Sequence, residues 1–107
     1  MTLIERRRHG RIAQPVLPIP VAFSGDAKGT GTLYDLSHGG CKVVCTNPPP
    51  LGASLMLQLD VSGNANPVKI DAGIVSWTIN GKYFGVKFLR VEPTEQLVLH
   101  RYLARLR

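Results

Sequence analysis

The stretch VKIDAGIVSWTINGKYFGVKFL, residues 68–89, decides the fold of this chain. Its first half alternates apolar and other residues with a period of two, which is typical of a β-strand with one buried face. The alternation changes phase beside Gly73, so that the apolar set passes from Val68, Ile70, Ala72 and Ile74 to Val75, Trp77 and Ile79. A change of phase next to a glycine predicts a bulge or a barrel corner. Asn80-Gly81 then predicts a two-residue type I′ hairpin, with the return strand at 83–89.

Shorter strands are predicted on the N-terminal side of this hairpin, at 21–24, 30–36, 41–46 and 53–61. The last of them has the cleanest alternation, because every second residue is a large aliphatic one: Leu55, Leu57, Leu59 and Val61. Three successive prolines at 48–50 must lie in a loop, since they lack the N–H groups that a β-ladder needs. Turn-forming residues also separate the strands at 25–29 and 62–67.

A helix is predicted at 93–106, at the C-terminal end of the chain. Pro93 suits a first helical turn, and the spacing of the apolar residues fits one helix face: Leu99, Tyr102, Leu103 and Leu106. Acidic residues lie near its start and arginines near its end, as the helix dipole favours. The sequence therefore predicts a mainly β protein, a small antiparallel barrel of six to seven strands with a C-terminal amphipathic helix.

The composition is that of one small globular domain. The chain has 107 residues, 44% of them hydrophobic, and a net charge of +6. We divide it into a flexible arginine-rich arm at 1–14 and a barrel domain with its helix at 15–107. No apolar run approaches the roughly 20 residues of a membrane span, and no apolar stretch follows the basic N-terminus as in a secretory signal. A cytoplasmic protein is the resulting expectation.

Two polar motifs stand out. The first contains four arginines within eleven residues: Arg6, Arg7, Arg8 and Arg11. A planar guanidinium can grip phosphate oxygens, engage guanine O6 and N7 as a fork, or stack on a base, whereas lysine does these poorly. The second motif is Asp35-Leu36-Ser37-His38-Gly39-Gly40. If Asp35 and Ser37 share a strand face, the carboxylate can accept from a guanine edge, and the glycines allow positive φ and a close approach of backbone N–H groups to an anion.

The two motifs together resemble those of the PilZ domain family, Arg-x-x-x-Arg followed by Asp/Asn-x-Ser-x-x-Gly. Arg7 and Arg11 match the first motif, while Asp35, Ser37 and Gly40 match the second. The resemblance covers nearly the whole chain, because a strand-rich body and a terminal helix follow the motifs. It implies a bacterial receptor for the second messenger cyclic di-GMP, which controls motility, exopolysaccharide synthesis or biofilm formation through a downstream partner protein.

The resemblance also implies the site and its occupancy. The expected ligand-binding residues are Arg6, Arg7, Arg8, Arg11, Asp35, Ser37, Gly39 and Gly40. An arginine at the place of Arg6 accompanies, in the family, two mutually intercalated ligand molecules, so we expect two cyclic di-GMP per chain. No cofactor, metal or catalytic activity is expected. A free arm that closes over the ligand would act as a switch rather than as a catalyst.

Other functions were weighed against this one. Asp35, Ser37 and His38 superficially suggest a hydrolase triad, but neighbouring strand residues point to opposite faces. The two cysteines, Cys41 and Cys45, lack the spacing of a zinc site and are expected to be buried core thiols. Trp77 is expected in the core or at the barrel edge rather than as a stacking surface. The strongest alternative is a small basic barrel that binds nucleic acid, although the sequence shows no interleaved stripe of basic and aromatic residues.

Overall fold

The structure, a computed structural model, describes residues 19–61 and 66–105, with the side chain of residue 105 left aside. Within these residues, six strands and one helix follow each other. They are β1 (Ile19–Gly25), β2 (Gly29–Leu36), β3 (Gly40–Val44), β4 (Ser54–Leu59), β5 (Val68–Ile79), β6 (Tyr83–Arg90) and α1 (Pro93–Arg105). The predicted arm at 1–14 and the end of the predicted helix, with Leu106, lie outside the described residues.

The six strands form a closed antiparallel barrel in the order β1-β2-β3-β6-β5-β4. Pairing of β1 with β4, in which Val21 lies opposite Leu59, closes the cylinder. The predicted barrel of six to seven strands with a C-terminal helix is confirmed. Because β3 pairs with β6, the second motif lies beside the return strand of the β5–β6 hairpin.

The barrel encloses a continuous apolar core. The alternation at 53–61 works as predicted, since its four aliphatic side chains are all at most 2% exposed. Helix α1 adds Leu99, Tyr102 and Leu103 to the same core, and it contacts β5. The backbone N–H of Lys69 on β5 also donates to Oε1 of Glu95 in the first turn of α1, at 2.7 Å. The helix is therefore fixed on the barrel by apolar packing and by one hydrogen bond to a strand.

The long strand β5 contains two irregularities where the sequence predicted one. Against β4, one extra residue of β5 lies between Ile70 and Gly73, as expected beside this glycine, and against β6 a second extra residue lies between Val75 and Trp77. Val75 is buried, but the second shift turns Trp77 to the outer surface and leaves Ile79 52% exposed. The alternation that groups Trp77 and Ile79 with Val75 is therefore broken, because a bulge reverses which side chains point inward, and Trp77 lies at the surface of the barrel rather than in the core.

The hairpin between β5 and β6 has the predicted turn with a slightly longer connection. Asn80 and Gly81 have φ values of 59° and 61°, and the N–H of Lys82 donates to the carbonyl of Ile79 at 3.2 Å, as a type I′ turn requires. The return strand starts at Tyr83 as predicted, but Ile79 lies opposite Tyr83, so three residues rather than two connect the strands. Lys82 therefore belongs to the turn, and its N–H closes it.

Cys41 lies in the core, whereas Cys45 is half-buried just after the end of β3, and both thiols are free. The prediction of a buried core thiol is thus confirmed for Cys41 and was too strong for Cys45. Within the part of the chain that the structure describes, no helix is long and apolar enough to cross a membrane.

Candidate ligand-binding site

The second motif forms a tight bend between β2 and β3. Strand β2 ends at Leu36, so Ser37 lies past the ladder and turns into the bend. Its backbone N–H donates to the carbonyl of Gly40 at 2.9 Å, and its hydroxyl donates to the same oxygen at 3.2 Å. The carbonyl of Gly39 accepts from the N–H of Phe88 on β6 at 2.9 Å. The bend is therefore tied both to itself and to the neighbouring strand.

The two glycines of the bend matter because they lack a side chain, and not because they adopt unusual backbone angles. Neither glycine uses the positive φ that the sequence allowed, since the left-handed φ values in the described part of the chain fall at Gly25, Gly52, Gly81 and Asn80. A Cβ on Gly40 would overlap the carbonyl oxygen of Val86, whereas one on Gly39 would meet no described atom within 4 Å. Gly40 thus allows β3 to approach β6 closely, and Gly39 leaves open space above the bend.

A surface cavity of about 360 Å³ opens beside this bend on the outer face of the barrel. The bend supplies Ser37, Gly39 and Gly40, and the strands that follow supply the rest of the wall. These further lining residues are Cys41, Lys42, Ser76, Trp77, Val86 and Lys87. The described wall contains two lysines and no carboxylate, so it is suited to an anion.

Strand register explains how the cationic and aromatic groups meet. Lys42 on β3 lies opposite Gly85 on β6, and Gly85 lies opposite Trp77 on β5. A Cβ on Gly85 would overlap the indole ring, so the absence of a side chain there lets Trp77 lie flat against the sheet. Lys87 lies opposite Gly40 on the same face. A half-buried indole and two lysines thus surround the bend.

Asp35 lies behind Lys42 rather than in the cavity wall. It is the Cα partner of Lys42 across the β2–β3 ladder, and Oδ2 of Asp35 is 3.3 Å from Nζ of Lys42. The side chain of Asp35 is 5% exposed, against 37% for that of Lys42. A bulge at Tyr34 makes this possible, because the register shifts between Leu33 and Asp35 and lets both of these residues be buried.

Tyr34 lies at the same bulge, and its ring meets that of Tyr83 edge to face with centroids 5.7 Å apart. The pKa of Tyr34 is raised, first because burial disfavours the phenolate and then because the negative charge of Asp35 repels it, with a further contribution from Tyr83. Lys82 adds a cation 6.0 Å from the centroid of the Tyr83 ring. Aromatic and basic side chains therefore do meet on this face, although sequence spacing showed no such stripe.

A second cavity, of about 480 Å³, lies on the other side of the bend. It is lined by His38, by the end of β6 and by α1, and Leu89 and Leu97 are 58% and 50% exposed there. Ser37 and Gly39 face the first cavity and His38 the second. Nε2 of His38 contacts Nδ1 of His100 on α1, so this imidazole faces away from Ser37, as the alternation argument against a triad required.

The predicted site residues are only partly brought together in the described structure. Ser37, Gly39 and Gly40 share one cavity wall, and Asp35 stands one residue behind it. Arg6, Arg7, Arg8 and Arg11 lie outside the described residues. Sequence reasoning missed Lys42 and Lys87. Alternation along β3 already placed Lys42 on the face of the strand that points away from the buried side chains of Cys41 and Val43. The position of Lys87 beside the bend depends on strand pairing, which no local pattern reveals.

Comparison with known proteins identifies the fold. Residues 5–105 match the PilZ domain family, and the chain belongs to this family. Its structure is similar to the Bacillus subtilis inhibitor of motility MotI/DgrA, with a TM-score of 0.72 at 20% identity over 95% of this chain and 51% of that one. It is also similar to Escherichia coli YcgR in complex with c-di-GMP, with a TM-score of 0.69 at 24% identity over 96% of this chain and 46% of that one.

The chain thus spans about half the length of these two structures. The PilZ domain of CeSA from a cellulose-synthesizing bacterium is matched over 96% of its own length and 90% of this chain, with a TM-score of 0.67 at 20% identity. No curated protein sequence matches the chain. Among residues 19–61 and 66–105, no three His, Cys, Asp or Glu side chains are grouped as a metal site would need.

Proposed function

We propose that this chain is a cyclic di-GMP receptor domain and that the ligand binds in the cavity beside the Ser37–Gly40 bend. The observation that carries the proposal is the composition of that cavity. Three residues of the second PilZ motif share its wall with Lys42, Lys87 and the indole of Trp77. A cyclic dinucleotide carries two phosphates and two purines, and it needs cations and a flat apolar surface in one place.

Each part of the cavity has a separate role in this proposal. The lysines attract the phosphates, because the described wall contains no carboxylate and only Lys42 has one, Asp35, behind it. Trp77 offers a flat ring on which a guanine can stack, a contribution of about 1–3 kcal/mol for base–aromatic contacts. Gly39 leaves the space that a ring-shaped ligand requires above the bend. Trp77 thereby acquires a ligand-binding role that its sequence context did not favour.

The arginine arm completes the proposed site. Arg7 and Arg11, together with Arg6 and Arg8, precede the first barrel strand, and Arg7 and Arg11 match the first motif of the family, to which we assign contacts with the ligand. Guanidinium groups would engage guanine O6 and N7 or the phosphates, and two intercalated ligands per chain would use the additional charge of Arg6. Ordering of the arm on the ligand would then change the surface that a partner meets.

The output of the domain is proposed to be a protein contact in the cytoplasm rather than a chemical reaction. YcgR was solved with c-di-GMP, and MotI/DgrA is an inhibitor of motility. Motility is therefore the process in which we first expect a phenotype, and exopolysaccharide synthesis is the second. The downstream partner protein can be identified because its binding to this chain should depend on cyclic di-GMP.

Isothermal titration of the whole chain with cyclic di-GMP tests the proposal. We expect saturable binding, and we expect Arg7→Ala or Arg11→Ala to weaken it roughly ten- to hundredfold, because one charge-assisted bidentate contact is worth about 1–3 kcal/mol. The matched control is Arg101→Ala, which removes the same charge from an exposed position on α1. Thermal unfolding of all variants should remain cooperative.

Titrations also distinguish the proposed receptor from the alternative, a barrel that binds nucleic acid. A cyclic dinucleotide receptor saturates at one or two small ligands per chain, whereas a nucleic-acid binder shows affinity for oligonucleotides that falls steeply with salt. Absence of cyclic di-GMP binding, together with salt-dependent binding of single-stranded oligonucleotides, would replace the proposal by this alternative. Equal losses in Arg101→Ala and the arm variants would show that only net charge matters.

A further inference from the structure

We infer that the groove beside α1 is the surface on which this domain docks its downstream partner, and that the docked segment is acidic and carries a large aliphatic side chain. The groove is the cavity of about 480 Å³ between the end of β6 and α1. The inference rests on the proposed function, because that function requires a contact with a partner protein. It adds where this contact lies and which chemistry the partner brings to it.

The first observation is the concentration of apolar surface in the groove. Within the described part of the chain, five large hydrophobic side chains are exposed, and two of them, Leu89 and Leu97, line this one groove. Phe88, Val91 and Pro93 add further apolar wall. Single exposed leucines are common on protein surfaces, whereas two that line the same concave surface are typical of a binding site.

The groove is formed without a partner, because its two walls are tied to each other. Nε2 of Gln96 on α1 donates to the carbonyl of Val91, just after β6, at 2.9 Å. At the bend, Nε2 of His38 lies 3.0 Å from Nδ1 of His100 on α1. A partner that docks into such a groove does not have to order it first, which favours binding.

The polar groups of the groove favour a carboxylate. Its described lining contains Arg90, His38 and His100 but no acidic residue. Glu92 and Glu95, near the start of α1, do not line the groove, and a carboxylate oxygen of Glu95 accepts from a backbone N–H of β5 instead. A guanidinium beside an apolar surface forms charge-assisted hydrogen bonds with a carboxylate. Acidic residues next to the aliphatic side chain of the partner would therefore be bound.

The histidine pair supplies a hydrogen-bond donor whichever tautomer it adopts. A neutral imidazole has one N–H and one unprotonated ring nitrogen. In the contact of His38 with His100, one ring donates and the other accepts, so the accepting ring keeps its own N–H for a third group. Because both imidazoles line the groove, a carboxylate of the docked segment can be that third group.

Charge and shape also select among the candidate occupants. The N-terminal arm of this chain carries four arginines within residues 6–11, and a second copy of the chain carries the same net charge of +6. Both would bring positive charge toward Arg90, which is unfavourable where water is partly excluded. A membrane surface is flat, whereas the groove is concave and has room for a large side chain. An acidic segment of another protein fits both the charge and the shape.

The groove adjoins the proposed ligand cavity. His38 lines the groove, while its neighbours Ser37 and Gly39 line the ligand cavity. The output surface of a receptor must bind its partner with different affinities in the free and the ligand-bound state. A groove that shares a bend with the ligand site meets this requirement if the bend moves, because one of the groove walls moves with it.

Amide chemical-shift mapping of the whole chain tests the inference with a synthetic probe. The probe is an N-acetylated pentapeptide amide that has one leucine between two pairs of glutamates. We expect saturable shifts that are largest at Leu89, Leu97 and His100. The same peptide with lysines in place of the glutamates, or with glycine in place of the leucine, should bind roughly fivefold more weakly or worse. Equal binding of the three peptides would overturn the inference.

Substitutions in the groove have matched controls outside it. Leu97→Ser should weaken the glutamate peptide roughly fivefold or more, whereas Leu51→Ser, at another exposed leucine, should leave its affinity unchanged. Arg90→Gln should weaken it roughly threefold or more, and Arg101→Gln, which removes the same charge from an exposed position on α1 outside the groove, should not. Near-ultraviolet circular dichroism establishes that each variant is folded. Equal losses in a variant and its control would place the peptide outside the groove and refute the docking site.

Other occupants give different results, and each would overturn the inference. If the natural chain does not bind the peptide but forms dimers that Leu97→Ser dissociates, the occupant is a second copy. If it binds phosphatidylglycerol vesicles instead, and Leu97→Ser abolishes this binding, the occupant is a lipid surface. If Ile4→Ser in the arm shifts the amide signals of the groove without any peptide, the occupant is the arm.

The failures of the two proposals are distinguishable, because cyclic di-GMP and the peptide are titrated separately and then together. A chain that takes the peptide in the groove but does not bind cyclic di-GMP refutes the proposed function and keeps the docking site. With cyclic di-GMP bound, we expect the affinity for the peptide to change roughly fivefold or more. If cyclic di-GMP binds and this affinity stays the same, the groove is not the output surface and the inference alone is wrong.

Discussion

Nε2 of His38 lies 3.0 Å from Nδ1 of His100, with the two imidazole centroids 5.0 Å apart. One ring donates its N–H and the other accepts. This contact joins the bend that carries the second motif to helix α1, across 62 residues of sequence. Because Ser37 and Gly39 line one cavity and His38 another, the bend is a thin wall between the proposed ligand site and the groove beside α1.

We expect His38→Ala and His100→Ala to lower the free energy of unfolding by similar small amounts, at most about 0.5–1.5 kcal/mol, since each removes the same exposed hydrogen bond. The double variant should lose no more than either single one. Urea unfolding monitored by circular dichroism measures these differences. Strictly additive losses would contradict the assignment of the two effects to one shared contact.

Gly85→Ala should destabilise the barrel by about 1–3 kcal/mol, because the added methyl group must displace the indole of Trp77 or shift the strand. The fluorescence of the single tryptophan should report a more exposed ring. Gly39→Ala is the matched control for stability, since a Cβ there meets no described atom within 4 Å. A Gly85 variant with unchanged emission and unchanged unfolding midpoint would show that the indole does not rest on this glycine.

Tyr34 should titrate above the ordinary tyrosine pKa of about 10, because burial and the charge of Asp35 both disfavour its phenolate. A raised pKa in the folded state means that the neutral phenol is favoured by folding. Its contribution to stability is therefore complete below the unfolded pKa and is lost as the pH rises through the folded pKa. Ultraviolet difference titration of the natural chain against Tyr34→Phe isolates this group from the other two tyrosines.

Asp35→Asn should move the pKa of Tyr34 back toward its ordinary value, since it removes the second-largest cause of the shift and leaves burial in place. An unchanged titration in that variant would mean that burial alone raises the pKa. Lys42→Met should have the opposite effect, because the ammonium that faces Asp35 would no longer offset its charge.

Arg6→Leu should reduce the number of cyclic di-GMP molecules bound per chain from two to one. Arg6 directly precedes the Arg-x-x-x-Arg motif, and a stacked pair of ligands carries twice the phosphate charge of one, so an additional planar cation favours the pair. The measurement is the endpoint of a calorimetric titration at protein concentrations well above the dissociation constant. An endpoint of one in the natural chain would refute the two-ligand site and leave the receptor function standing.

Local sequence patterns determined most of the barrel. The period of two at 53–61 places four aliphatic residues in the core because a strand that is half buried must alternate. Asn80-Gly81 determines the turn, since both residues adopt positive φ readily, and Pro93 with the Leu99–Leu103 stripe determines the helix. The two motifs, in this order, indicated the PilZ family, to which the chain belongs. These features depend on neighbours within a few residues, and the sequence displays them directly.

The composition of the cavity was decided by the tertiary structure. Lys42, Trp77 and Lys87 come from three strands, and they meet on one face because of the pairing of β3 with β6 and of β6 with β5. Trp77 points outward only because a second bulge reverses the face of β5, and Asp35 is buried because a bulge at Tyr34 shifts its register. A one-residue shift exchanges the two faces of a strand, and the energy that selects the shift comes from packing around the closed barrel rather than from adjacent residues.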